Sequence, residues 1–208
     1  SRSGIYKLQD VTAVVSATGG TDNAGSTDPD NPTTGGDVSA VAAGVATGIG
    51  SLTAKSLDLT VSAQGGTAAG KNATIKVVAS GLNQANYGSN DPTDTATIQV
   101  TGATKLNVTA AGGNTTGTGS TSTAQTSATG LVNNIIEDAP DPLIAAMELG
   151  AVSGNVTATG GTVNAFTANT TAAGAVNGID LVNHDDTIGG ILSLDSLDLT
   201  VTATGAKL

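Results

Sequence analysis

Between Asp58 and Thr67 the chain reads DLTVSAQGGT: apolar Leu59, Val61 and Ala63 fall two residues apart, small polar Thr60 and Ser62 separate them, and two glycines close the run. The phrase returns as AVVSATGGT from Ala13, LNVTAAGGN from Leu106, GNVTATGGT from Gly154 and LDLTVTATGA from Leu197. Its first glycine falls at Gly19, Gly65, Gly112, Gly160 and Gly205, at intervals of 46, 47, 48 and 45 residues, so the chain is a tandem array. Valine stands four residues before each of these glycines (Val15, Val61, Val108, Val156, Val201), and alanine two before (Ala17, Ala63, Ala110, Ala158, Ala203). Six before come Ala13, Leu59, Leu106, Gly154 and Leu199, and eight before come Val11, Leu57, Thr104, Val152 and Leu197. Apolar columns two residues apart predict a β-strand with one buried face. The columns between them, Ser16, Ser62, Thr109, Thr157, Thr202 and Val14, Thr60, Asn107, Asn155, Thr200, are mostly small and polar and are expected to face water.

Like residues at one place in every copy are what parallel strands stacked rung on rung require, each side chain lying ~4.8 Å from its counterpart. The expected fold is therefore all-β, a tandem-repeat β-solenoid with a unit of about 46 residues. The alternative is a row of small antiparallel β modules. On the solenoid reading residues 1–208 form one array, with a half unit at 1–20 and units at 21–66, 67–113, 114–161 and 162–206. The Gly-Gly pair is expected to turn the chain by taking positive φ. A second, looser element recurs as AAGVATGI from Ala42, ASGLNQANY from Ala79, ATGLVNNI from Ala128 and AAGAVNGI from Ala172, and reads as another strand and a corner.

Composition narrows what such an array does. Only Tyr6, Tyr87 and Phe166 are aromatic, so the core has to be built from small aliphatics, and 29 glycines would suit disorder were the 38% apolar residues not in register. Seventeen acidic against seven basic residues leave a net charge of -10, which repels nucleic acid and anionic membranes. No stretch has the ~18 apolar residues of a membrane span, so membrane insertion is not expected. Residues 1–20 lack the pattern of a secretory signal, and export would need one already removed. The absence of cysteine fits an exported surface protein. Residues 4–20 read as the second half of a unit and neither end carries an evident polar cap. The expected partners are therefore copies of the chain stacked end to end through the terminal strands, or flanking repeats of a longer chain.

LDLTVSAQGGT-type strands, richness in Thr, Asn and Gly, lack of cysteine and an acidic balance run through nearly the whole chain. In these respects it resembles the long repetitive surface proteins of bacteria, the filamentous-haemagglutinin-like adhesins and related secreted β-solenoids. The resemblance implies an extracellular or cell-surface role as adhesin, sheath, fibre or surface layer, and brings no catalytic residue with it.

Acidic loops are the candidate chemistry. They read DPDNPTTGGD from Asp28, NDPTD from Asn90, EDAPDP from Glu137 and NHDDT from Asn183. Ca²⁺ takes six to eight oxygens, and the pairs Asp28 and Asp30, Asp91 and Asp94, Asp138 and Asp141, and Asp185 and Asp186 are the candidate metal ligands. The competing reading is a solvated turn, since Asp-Pro and Asn-Asp are ordinary turn formers. His184 is the only histidine and no GxSxG context accompanies it. Carboxylate pairs such as Glu137 and Asp138 lack the aromatic platforms that sugar hydrolysis favours, so an enzyme is not expected. An ice- or carbohydrate-binding module is the alternative function, resting on the outward hydroxyl column, and a polysaccharide-active enzyme the more remote one.

Overall fold

The computed structural model describes residues 4–22, 36–47, 50–70, 72–87, 95–116, 122–137, 144–164, 167–181 and 189–207. Its strands recur in a fixed order. The first set is β1 (Gly4–Lys7), β2 (Asp10–Thr18), β3 (Thr21–Asp22) and β4 (Asp37–Thr47). The second is β5 (Gly50–Ala54), β6 (Ser56–Gln64), β7 (Thr67–Ala68) and β8 (Thr74–Tyr87). The third is β9 (Thr95–Val100), β10 (Thr104–Ala111), β11 (Asn114–Thr115) and β12 (Thr123–Glu137). Thereafter the first two strands of a set fuse: β13 (Ile144–Thr159) is followed by β14 (Thr167–Leu181) and β15 (Gly189–Thr204).

Three sheets result. The largest has eight strands in the order β1-β5-β9-β13-β10-β6-β2 with β15 added on β13; a four-stranded sheet runs β14-β12-β8-β4 and a small one β11-β7-β3. Every named pairing is parallel. A row of antiparallel modules is thereby ruled out for the described residues, because each strand takes its partner from the neighbouring set and not from a hairpin. The register is the one the repeated phrase predicts: Val15 pairs with Val61, Val61 with Val108, Val108 with Val156 and Val156 with Val201. Val61, Val108 and Val156 are fully buried, as are Leu59 and Leu106. At the two outer rungs the ladder is less covered than the sequence pattern suggests. Val15 and Ala17 are half-buried and Ala203 is exposed, since each outer strand has a neighbour on one side only among the described residues.

The second element forms the four-stranded sheet, with Ala42, Ala79, Ala128 and Ala172 in one column. Two residues further on stand Gly44, Gly81, Gly130 and Gly174. A Cβ built on Gly44 would lie 2.9 Å from Val61 Cγ2, one on Gly81 3.0 Å from Val108 Cγ2, one on Gly130 3.0 Å from Val156 Cγ2 and one on Gly174 3.2 Å from Val201 Cγ2. The two invariant columns are therefore one contact seen from two sides. Valine methyls of the large sheet occupy the space that a side chain on the opposite sheet would take, so the two sheets pack closely at these columns.

The Gly-Gly pairs work differently from the expectation. Among the described residues the glycines with positive φ are Gly50, Gly70 and Gly154, none of them in a pair. The pairs instead carry the stacking round the corner. Gly19 N donates to Gln64 O (2.8 Å), Gly65 N to Ala111 O (2.7 Å), Gly112 N to Thr159 O (2.7 Å) and Gly160 N to Thr204 O (2.8 Å). A Cβ on Gly65 or Gly112 would fall on the amide nitrogen of Gly113 or Gly161 in the next rung. Close approach of backbones, and not a left-handed turn, is what excludes a side chain there.

Polar groups also enter the interior. Gln84, fully buried, donates from Nε2 to Ala96 O at 2.5 Å, joining β8 to β9, and Asn133, its partner in the register, donates from Nδ2 to Ile191 O at 3.2 Å. These amides link the ends of the four-stranded sheet to the starts of large-sheet strands, where alanine and valine could offer no hydrogen bond. The strings LNQANY and LVNNI contain them, yet their polarity reads in sequence as an ordinary corner.

Candidate functional site

The structure does not reach the proposed metal ligands. Asp28 and Asp30, Asp91 and Asp94, Asp138 and Asp141, and Asp185 and Asp186 all lie outside the described residues, as does His184. Their places in the chain are nonetheless of two kinds. Three pairs fall between a strand of the four-stranded sheet and the next large-sheet strand: β8 and β9, β12 and β13, β14 and β15. Asp28 and Asp30 fall between β3 and β4, so the first acidic segment is not the counterpart of the others. Among the described residues no group of three or more His, Cys, Asp or Glu side chains could hold a metal ion, and no helix there is long and apolar enough to cross a membrane.

Polar side chains of the large sheet's outer face stack in register. Ser56 Oγ donates to Asp10 Oδ1 at 2.6 Å, Gln99 Nε2 to Glu148 Oε2 at 3.0 Å and Asn155 Nδ2 to Asn107 Oδ1 at 3.3 Å. Beside the asparagine ladder runs the column Ser16, Ser62, Thr109, Thr157 and Thr202, a hydroxyl at each of five consecutive rungs. It is one column wide. Its neighbour mixes Val14, Thr60, Asn107, Asn155 and Thr200, and the next holds Asp58, Lys105 and Asp198.

An open groove of about 290 Å³ crosses the same sheet where β9 gives way to β10, lined by Gln99, Thr101, Glu148, Gly150, Ser193 and Asp195 among others. An extra residue accompanies it. Ala96 to Thr104 spans one position more than its counterparts Gly50 to Leu57, Ala145 to Val152 and Gly190 to Leu197, and the surplus is taken up at Thr101 to Ala103 as a bulge. The groove holds two carboxylates, Glu148 and Asp195, and no aromatic ring lines it. Tyr6, whose side chain is described, is exposed and stands elsewhere. A second groove, between Thr21 and Ser39, brings Asp22 and Asp37 together, with Asp37 N donating to Asp22 Oδ2 at 3.3 Å.

No protein-family model, curated protein or solved structure matches the chain.

Proposed function

We propose that this chain is a structural repeat protein, a β-solenoid with a unit of about 46 residues that serves outside the cell as part of a rod, fibre or surface coat. One observation carries the reading: strands of each set pair in parallel, residue for residue, with the counterparts in the next set. Such stacking propagates along one direction. It uses side chains chosen to repeat and not to converge, which suits a scaffold better than a catalytic centre. Adhesion is the accompanying task that the resemblance to repetitive bacterial surface proteins implies, and the acidic segments are the place for structural Ca²⁺.

Contact between copies belongs to the same proposal. Gly4 and Gly190, Val11 and Leu197, and Val15 and Val201 occupy common columns, each pair 186 residues apart. With this constant offset β15 of one copy can receive β1 and β2 of another without insertion or deletion. Such a contact is heterologous and extends into a filament. Electron microscopy with light scattering across a protein concentration series tests the reading: particles of constant width and growing length are expected, and compact particles of fixed size would overturn it.

A second reading rests on the hydroxyl column. If that face orders water or sugar, replacing Thr109 and Thr157 by valine abolishes thermal hysteresis or glycan retention while leaving the melting curve in place; absence of either activity in the parent removes this reading.

A further inference from the structure

Between β5 and β6 the chain bends at Lys55, and the positions stacked with it in the other rungs are Gln9, Gly102, Gly150 and Asp195. Lys55 N donates to Gln9 O at 2.9 Å and Gly102 N to Lys55 O at 2.8 Å, and a Cβ on Gly150 would meet Gly102 O at 2.5 Å. Two residues before Lys55 and Gly150 runs the outward column Lys7, Thr53, Gln99, Glu148 and Ser193. The third and fourth rungs thus carry glycine at the bend. The open groove of about 290 Å³ lies beside them, lined by Glu148 and Asp195 among others. One rung before Gly102 stands Lys55. It is exposed, and among the described residues neither its ammonium nor the Asp195 carboxylate has an ion-pair partner. Within one molecule Lys55 is two rungs, roughly 9.6 Å, from the bend at Gly150.

We propose that this strip is a self-complementary contact through which two copies lie side by side with their stacking directions opposed, Lys55 of each entering the groove of the other. A two-fold axis along the strands of the β9 rung keeps each position along the strand and reverses the order of the rungs. The second rung then faces the fourth, and the first faces the fifth. Lys55 comes to stand over Gly150, with Glu148 two residues away on the same strand and Asp195 one rung beyond. The remaining pairs agree in chemistry. The Thr53 hydroxyl faces Glu148, the Gln9 amide faces Asp195 and the Ser196 hydroxyl faces Asp10, so each carboxylate of the strip meets a donor and none meets another carboxylate. Every contact occurs twice, as a two-fold interface requires. Five rungs at ~4.8 Å make the strip roughly 24 Å long, which places it among small and weak interfaces. The net charge of -10 opposes the approach at long range, but in physiological salt that repulsion is screened beyond about 8 Å while charges in contact still attract. The contact uses outward side chains and no strand edge, so it is independent of filament growth and of any extracellular role.

Carbodiimide coupling, which joins a lysine amine to a carboxylate touching it, tests the geometry on the 208-residue protein in an equimolar mixture of unlabelled and heavy-nitrogen-labelled copies at submillimolar concentration. Peptides joining Lys55 of one label to Glu148 or Asp195 of the other are expected. Because the coupling is read between labels at these residues, end-to-end growth neither produces nor hides it. Charge exchange is the second arm. Lys55→Glu sets a carboxylate against the groove, and Glu148→Lys with Asp195→Lys makes the groove basic. Each variant should melt like the parent, since the positions are exposed, and each should self-associate at least tenfold more weakly in sedimentation equilibrium. Mixed in equal amounts, the two variants should form one-to-one pairs as tight as the parent's, because both contacts are then attractive. Absence of coupling between labels at Lys55, variants that self-associate as the parent does, or a mixture no tighter than either variant alone overturns the proposal, whether or not filaments grow.

Discussion

Val108 and Val201 share a column, yet the first is fully buried and the second is close to half exposed. Asp at position 108 would place a charge with no partner between two rungs, a cost of several kcal/mol, whereas Asp at 201 can turn to water. Val108→Asp should therefore lose cooperative unfolding, and Val201→Asp should melt within a few degrees of the parent in a circular-dichroism scan; similar melting of the two variants would refute the inward assignment. Thr104 presents the opposite opportunity. It stands fully buried in the column of Val11, Leu57, Val152 and Leu197, and its Oγ1 has no hydrogen-bond partner. Thr104→Val removes an orphaned hydroxyl at nearly constant volume, so the denaturant midpoint should rise by the equivalent of about 1 kcal/mol with the slope unchanged.

At the scale of elements, the contact between the two long sheets is the glycine–valine interlock. A Cβ on Gly130 would meet Gly174 O at 2.5 Å and Val156 Cγ2 at 3.0 Å. Gly130→Val overpacks this spot and should destabilise by about 1–3 kcal/mol or more. Truncating the opposing side chain relieves the Val156 contact and leaves the one with the Gly174 backbone, so Val156→Ala should cost less in the Gly130→Val background than in the parent. A double-mutant cycle measured by urea unfolding should return a coupling of at least 0.5 kcal/mol. Additive costs would mean that the sheets do not meet at these residues. By contrast a Cβ on Gly20 would meet nothing within 4 Å, which makes Gly20→Ala the neutral control.

For the whole molecule the relevant quantity is charge. A net charge of -10 opposes both compaction and the approach of a second copy, and on the proposal that the acidic segments take Ca²⁺ a bound cation would relieve part of that repulsion. Ca²⁺ at millimolar concentration should therefore raise the melting temperature beyond what equal ionic strength of Na⁺ achieves, and a chelator should reverse the gain. Asp91→Asn with Asp94→Asn should remove part of it. A calorimetric titration without heat and an unchanged melting curve would reduce the acidic segments to solvated turns.

Strand register was legible in the chain because it is one-dimensional information. A β-strand alternates its faces every second residue, and stacked copies must present like side chains to one another, so the columns of Val, Ala and Leu and their offsets could be read from spacing alone. The parallel pairing follows from the same repetition. Contact between the sheets was not legible in this way. That Gly81 receives Val108, that Gln84 reaches Ala96, and that Thr104 is sealed without a partner depend on how two separate ladders face each other, and no periodicity within either ladder specifies that. The glycine pairs were visible as a signal, but their cause was assigned to turn conformation when it is the approach of neighbouring backbones, a distance across rungs. The half-exposure of Leu197 and Val201 is likewise a property of the assembled layers: the inward residues Leu197, Leu199, Val201 and Ala203 are the same as the buried Leu57, Leu59, Val61 and Ala63, and no spacing within the strand distinguishes the two sets.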